Sequence, residues 1–132
     1  MAQTMYGVNY HLDRIYGSED PPHLYLAVMT GKPGYLTTGS QLGEPVGNGY
    51  ERLQIPNTVE YWSGAADGHK GNSKTLVFAK ATGTWGRVRY WALCDAATDG
   101  NIIVWGYMTP RLIVENSVIR FGKDQLSINI KR

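Results

Sequence analysis

The sequence predicts a mainly β, antiparallel protein, a β-sandwich or jelly-roll-like fold behind one short N-terminal α-helix. Sixteen glycines, nine tyrosines and four tryptophans are typical of aromatic strands joined by glycine-rich turns. About eight short apolar runs follow one another at near-regular spacing, as in sandwiches and barrels. A helical period is persuasive only at the N-terminus. The 132 residues fit one domain, predicted as a helix over residues 1–17 and a single β-sandwich over 18–132.

The predicted helix is amphipathic. Its apolar residues recur at steps of three and four, which places them on one stripe: Met5, Val8, Leu12 and Ile15. Tyr6 and Tyr10 lie four apart on a neighbouring face. Gly17 ends the helix, and residues 18–22 are predicted as a polar connection. Because a helix this short needs a packing partner, the four apolar residues and two tyrosines are predicted to form an interface. The partner is the chain's own sandwich or, as we favour, a neighbouring subunit.

The strands are read from alternation, from continuous apolar runs and from the turn residues between them. The best-defined pair is a hairpin whose two strands flank a turn at 96–101. Two long segments, 31–49 and 63–72, are predicted as loops. The predicted strands are 24–29, 50–55, 58–62, 74–80, 88–95, 102–107, 111–115, 118–121 and 126–130.

Composition and spacing argue against several function classes. A net charge of +2 with scattered basic residues does not predict nucleic-acid binding. No apolar stretch approaches the roughly 20 residues of a membrane helix. His11, His23 and His69 lack metal-ligand spacing, and Cys94 lies in an apolar run that predicts burial. No nucleophile or phosphate-loop motif occurs, so we expect no enzyme activity, no catalytic residues, no metal and no cofactor.

Tyr61 and Trp62 form an aromatic pair beside a predicted polar loop. Aromatic residues in such a position either cover the end of a sandwich or contact a sugar or a protein partner, where Tyr and Trp are enriched. The sequence leaves both interpretations open.

An ordered set of motifs runs through the whole chain. After the amphipathic start come Leu24-Tyr25-Leu26-Ala27-Val28-Met29-Thr30 with Pro33, Gly49-Tyr50-Glu51-Arg52, Phe78-Ala79-Lys80-Ala81-Thr82-Gly83-Thr84-Trp85-Gly86, Ala92-Leu93-Cys94-Asp95-Ala96-Ala97 with Gly100-Asn101, Gly106, and the ending Phe121, Leu126, Ile128. In their order and spacing these motifs resemble a family of small virion proteins of tailed bacteriophages, described as phage tail-fibre proteins.

The resemblance implies a non-enzymatic structural component of the virion, made in the host bacterial cytoplasm. It would be a small surface-attached protein of the tail-fibre/baseplate type or of the capsid-decoration type. Its expected partners are other virion proteins, capsid or tail subunits, and further copies of itself. We predict a homo-oligomer, a trimer, because closed symmetry buries patches that a lone sandwich exposes. The alternative function is a receptor- or glycan-binding module of the tail, with a host surface glycan as ligand.

Overall fold

The computed structural model describes residues 4–34 and 42–129. Strand residues make up 43%, the sheets are antiparallel, and one short helix lies at the N-terminus, so the predicted fold class is confirmed. The elements in chain order are α1 (Met5–Ile15), β1 (Ser18–Met29), β2 (Leu53–Thr58), β3 (His69–Gly71), β4 (Leu76–Val77), β5 (Gly86–Cys94), β6 (Ile102–Ile113), β7 (Arg120–Phe121) and β8 (Ser127–Asn129).

The described strands form one four-stranded sheet and two small sheets. The large sheet has the order β2-β1-β5-β6, and the two-stranded sheets pair β3 with β8 and β4 with β7. Strand β5 is central: Ala27 of β1 and Trp105 of β6 both stand opposite Ala92. Strand β5 has nine residues, and the four consecutive residues 91–94 are all buried. Because successive side chains point to opposite faces, this strand is covered on both faces of the sheet.

Packing divides the chain into two compact units. Unit 1 comprises Met1–His23, Ile55–Leu76 and Arg120–Arg132, and unit 2 comprises Leu24–Gln54 and Val77–Ile119. Strands β1 and β2 therefore contribute residues to both units. The sequence-based division at residue 17 stays a prediction, whereas α1 contributes to the core of unit 1.

In unit 1, helix α1 is fixed at its start and buried along its middle. Thr4 is the N-cap, and its hydroxyl accepts a hydrogen bond from the Gly7 N–H at 3.1 Å. Val8 and Leu12 are buried, at 1% and 0% exposure. Gly17 follows the helix with φ +84°, a left-handed conformation that glycine adopts without strain. The prediction that Gly17 ends the helix is confirmed.

Two buried asparagines satisfy backbone groups that the short strands of unit 1 leave unpaired. The Asn57 amide donates to the carbonyl oxygens of Ile15 and Pro21, both at 2.8 Å, and its oxygen accepts from the Gly17 N–H. Asn72 donates to Lys74 and Gly122 carbonyls. Both asparagines are 0% exposed, so water cannot pair with the backbone groups around them. Their side-chain hydrogen bonds take the place of the strand-to-strand hydrogen bonds that this irregular backbone cannot form.

In unit 2, side chains on both faces of β5 are buried: Trp91 and Leu93 on one face, Ala92 and Cys94 on the other. The Trp91 ring packs directly over Gly106, where a Cβ atom would come within 2.6 Å of the indole. Opposite Arg89, strand β6 carries three residues, Met108, Thr109 and Pro110, between the pairs that flank this bulge. Pro110 is tolerated there because β6 is an edge strand and the bulge interrupts the ladder.

Several predicted boundaries differ from the structure. Residues 18–22 are not a connection but the first part of β1, and the strand predicted over 50–55 begins instead at Leu53. Of the strand predicted over 58–62, Thr58 ends β2, residues 59–61 form a turn, and Trp62 makes a single bridge to Asn72. The predicted loop 63–72 contains β3, and the strands predicted over 102–107 and 111–115 are one strand, β6. The predicted loop 31–49 falls partly on 35–41, outside the described residues.

Candidate functional site

The helix residues predicted as an interface divide into a buried and an exposed group. Val8 and Leu12 belong to the core of unit 1, whereas Met5 and Ile15 are 44% and 38% exposed. Tyr6 and Tyr10 are exposed and stack with ring centroids 6.4 Å apart. The middle of the apolar stripe thus packs on its own chain. The part that remains available to a partner, which we call the helix surface, consists of Met5, Tyr6, Tyr10 and Ile15.

Polar contacts also hold α1 on unit 1. The Asp13 carboxylate accepts from the Lys70 ammonium at 2.7 Å and from the Ala65 N–H at 2.9 Å. Asn9 accepts from the Gly68 N–H at 3.0 Å. Partial burial alone would raise the pKa of Asp13, but the hydrogen bonds from Lys70 and Ala65 outweigh it and lower that pKa. These contacts fix the orientation of the helix surface.

The aromatic pair Tyr61 and Trp62 does not present two exposed rings. Trp62 is 1% exposed and packs against Tyr16, with ring centroids 5.7 Å apart. Tyr61 is half-buried, and the Lys74 ammonium lies 5.1 Å from its ring centre. Trp62 is therefore part of the core of unit 1. One face of the Tyr61 ring is in contact with the side chain of Lys74. A ligand contact at this pair stays a prediction, and of the two residues only Tyr61 is exposed enough to make it.

A buried ion pair in unit 2 joins two loops. The Arg52 guanidinium, 3% exposed, contacts the Glu44 carboxylate at 2.7 Å and donates to the carbonyl oxygens of Ala96 and Asp99 at 2.8 and 2.9 Å. The Tyr50 hydroxyl donates to Glu44 as well. Burial, with Glu44 as the second cause, raises the pKa of Tyr50 well above its ordinary value.

This ion pair lies at a cleft of about 540 Å³. The cleft is lined by Leu42, Glu44, Pro45, Val46, Tyr50, Glu51, Arg52, Ala97, Thr98 and Asp99. Because Glu44 already balances the charge of Arg52, and two backbone carbonyls of the 95–101 turn accept hydrogen bonds from it, we interpret the pair as a structural clamp on this turn.

Three aromatic rings gather on one face of the β5–β6 hairpin. Tyr90 and Tyr107 are cross-strand partners, and Trp105 lies one alternation along β6. Their ring centroids are 5.5 to 6.0 Å apart in all three pairs. The Lys32 ammonium lies 5.6 Å from the Trp105 ring centre. We call Tyr90, Trp105, Tyr107 and Lys32 the aromatic surface.

The aromatic surface is both anchored and accessible. Tyr90 and Trp105 are half-buried against a buried cluster of small and flexible side chains formed by Ala27, Met29, Ala92 and Cys94. Tyr107, by contrast, is 68% exposed. From the sequence, a contact role was predicted for none of these four residues. The alternation of Trp105 and Tyr107 on a strand was the available signal, but it does not reveal that β6 is an edge strand.

The remaining chemistry is sparse in the part of the chain that the structure describes. No group of three or more His, Cys, Asp or Glu side chains is placed to hold a metal ion among residues 4–34 and 42–129. Burial raises the pKa of the Cys94 thiol to about 11. Asp95 caps the hairpin turn by accepting from the backbone and side chain of Asn101, which lowers its pKa. In the same described residues, no helix has the length and apolar character needed to cross a membrane.

Comparisons with known proteins agree with the resemblance seen in the sequence. No curated protein matches the chain. A family model described as "Podophage GP4 fiber I protein gp80" matches residues 6–129. The match spans both units, and the predicted relationship to phage tail-fibre-type proteins is confirmed. The chain therefore belongs to the family of podophage GP4 fiber I protein gp80.

Proposed function

We propose that this protein is a non-enzymatic structural part of the phage tail fibre that attaches to other virion proteins through the helix surface. The family match over residues 6–129 carries this proposal, because a phage fibre family implies a virion component that associates with other virion proteins. The helix surface supports it. Two stacked tyrosines and two partly exposed aliphatic side chains lie on a helix that its own unit holds in place.

The composition of the helix surface suits attachment. Tyrosine presents a large, rigid area with a polar hydroxyl, and aromatic residues are enriched at the centres of protein interfaces. Arg14 lies 5.7 Å from the Tyr10 ring centre and adds a cation at the rim. Deleting residues 1–16 would remove Val8 and Leu12 from the core of unit 1, so attachment is better tested with exposed side chains alone.

The experiment is incorporation of a variant protein into phage particles. The double variant Tyr6→Ser, Tyr10→Ser should fold with an unchanged melting temperature but be depleted from purified virions. The matched control is Val46→Ser, Val59→Ser, which removes two side chains that are 92% and 80% exposed elsewhere on the chain. Normal incorporation of the tyrosine variant would contradict attachment through the helix surface.

Localisation tests the tail assignment itself. Cryo-electron microscopy of particles carrying a tagged protein should place the tag on the tail, at the fibre or baseplate. Density on the capsid would instead make the protein a capsid decoration, and a protein missing from purified virions would contradict the structural role. These outcomes do not depend on which surface makes the attachment.

We further propose that the protein is a homotrimer. The support is the exposure of apolar residues outside the helix surface that a closed ring can bury, among them Leu112 and Val114. Size-exclusion chromatography with light scattering should give three times the 14.7 kDa chain mass. A monomer in solution, together with single copies on the particle, would contradict this proposal.

A further inference from the structure

One row of side chains along α1 points away from unit 1. Residues four apart follow one another along one side of a helix, and a step of two residues turns the side chain by about 200°. Val8 and Leu12 belong to a buried row. Tyr6, Tyr10 and Arg14 lie two residues from them and therefore form a row on the opposite side of the helix. All three are exposed, and we call them the exposed ridge.

Contacts within the exposed ridge hold its side chains in place. The rings of Tyr6 and Tyr10 stack with centroids 6.4 Å apart, and the Arg14 guanidinium carbon lies 5.7 Å from the Tyr10 ring centre. Side chains that are already ordered lose less conformational freedom when a partner binds. Tyrosine and arginine are also residue types that dominate the binding energy of protein interfaces. A row that stands out from a helix in this way fits a groove in a partner.

Gly7 leaves a gap beside the exposed ridge. It lies in the first turn of α1, in the neighbouring row with His11 and Ile15. Glycine is less favourable than alanine in a helix. Apart from its chain neighbours and the helix backbone, an added Cβ would meet among the described residues only the Thr4 hydroxyl oxygen, at an ordinary contact distance of 3.5 Å. Packing within the described chain therefore does not require glycine here, whereas a partner that approaches the helix closely does.

The exposed ridge carries one positive charge that no described carboxylate balances. The ion pairs between described residues do not include Arg14. Asp13, the one acidic residue of α1, already accepts from the Lys70 ammonium and the Ala65 N–H. A partner that buries Arg14 has to supply a carboxylate, because removing an unpaired charge from water is costly. Charge complementarity thus favours an acidic residue opposite Arg14.

We propose that the exposed ridge binds an apolar groove on another virion protein, with a carboxylate where the groove meets Arg14. Tyr6 and Tyr10 insert into the groove, and its wall approaches the helix at Gly7. The ion pair of Arg14 with the carboxylate fixes the direction in which α1 lies in the groove. This inference rests on the proposed attachment through the helix surface and adds the chemistry of the partner.

A competition for incorporation into virions tests the carboxylate. Each variant is produced together with an equal amount of the tagged, unchanged protein, and mass spectrometry gives the ratio of the two in purified particles. Arg14→Glu should be depleted about tenfold or more, because like charges then meet, and Arg14→Gln about threefold. The control, Lys80→Glu, makes the same change of charge at an exposed lysine of unit 2 and should be incorporated normally.

Substitutions of Gly7 separate binding from folding. Gly7→Ala should raise the melting temperature of the free protein by about 1–4 °C, because alanine is the better helix former. The same variant should be depleted from virions about fivefold, because its methyl group occupies the gap that the groove wall needs. Gly7→Gln, with a longer side chain, should be depleted further. The control is Gly31→Ala, whose added Cβ meets nothing within 4 Å.

Normal incorporation of Arg14→Glu would overturn the carboxylate, and normal incorporation of Gly7→Gln would overturn the groove. In either case, depletion of the Tyr6→Ser, Tyr10→Ser variant would still support attachment through the helix surface. Normal incorporation of all these variants would contradict the attachment itself. If Arg14→Glu instead lowers the mass measured by light scattering, the exposed ridge binds a second copy of this chain, and its assignment to another virion protein is wrong.

Discussion

The buried Arg52 should be among the most sensitive positions of unit 2. Replacing it with alanine removes the contacts to Glu44, Ala96 and Asp99 in one step and leaves the Glu44 carboxylate, 16% exposed, without its cation. Breaking a buried ion pair by removing one partner costs about 3–5 kcal/mol. That is a large part of the roughly 5–15 kcal/mol that stabilises an ordinary domain. For a chain of this length it corresponds to a fall in melting temperature of about 10–20 °C.

Arg52→Lys should recover only part of this loss. A lysine ammonium is a single donor group, whereas the guanidinium reaches the carboxylate and both carbonyl oxygens of the 95–101 turn at once. Equilibrium unfolding in urea measures the free-energy differences, and Arg87→Ala, an exposed arginine on β5, is the control. Hydrogen exchange should show faster exchange in the turn. If Arg52→Ala lowers the free energy of unfolding by less than about 1 kcal/mol, no more than the control does, the clamp is refuted. The pair would then contribute no more than an ordinary surface ion pair.

Three further outcomes follow from packing and burial. Leu12→Ala should destabilise the protein by about 2–5 kcal/mol in thermal unfolding, while the same change at the partly exposed Ile15 should cost much less. Gly106→Ala should cost about 1–3 kcal/mol through overpacking, whereas Gly31→Ala, with nothing within 4 Å of its added Cβ, should not. Burial raises the pKa of Tyr16 to about 12. The contribution of Tyr16 to the free energy of unfolding is therefore complete below about pH 10, its pKa in the unfolded chain. This contribution declines as the pH rises through the pKa of the folded state, by about 3 kcal/mol in all. Tyr16→Phe should flatten this alkaline loss in urea unfolding at pH 9 and pH 11.

The sequence was most informative where a pattern is local. The β5–β6 hairpin was predicted because a turn between two apolar runs encodes it within a few residues. Its second strand was predicted as two strands, 102–107 and 111–115, whereas β6 runs through Pro110 without a break. At a bulge on a sheet edge no ladder hydrogen bond is lost, so the strand continues. The three-residue strand β3 was read as a loop because its partner, β8, is far along the chain.

The sites were harder to predict than the fold. Arg52 and Ala96 are 44 residues apart, and Asn72 and Leu126 are 54 apart, so no spacing rule joins them. The helical stripe was recognised correctly as apolar, but its period does not say which chain covers it. The aromatic surface depends on register: Tyr90 and Tyr107 meet only because three residues of β6 stand opposite Arg89.

The interleaving of the two units has a consequence for synthesis of the chain. All segments of unit 2 precede residue 120, whereas unit 1 needs both Met1–His23 and Arg120–Arg132. Helix α1 is translated more than 100 residues before the residues that complete the core of unit 1, among them Leu126 and Ile128. Chains are made at about 5–20 residues per second, so Val8 and Leu12 wait for several seconds without their final partners. During that interval the nascent protein offers its apolar stripe to chaperones or to neighbouring chains, and unit 1 can close only after residues 120–132 have emerged from the ribosome.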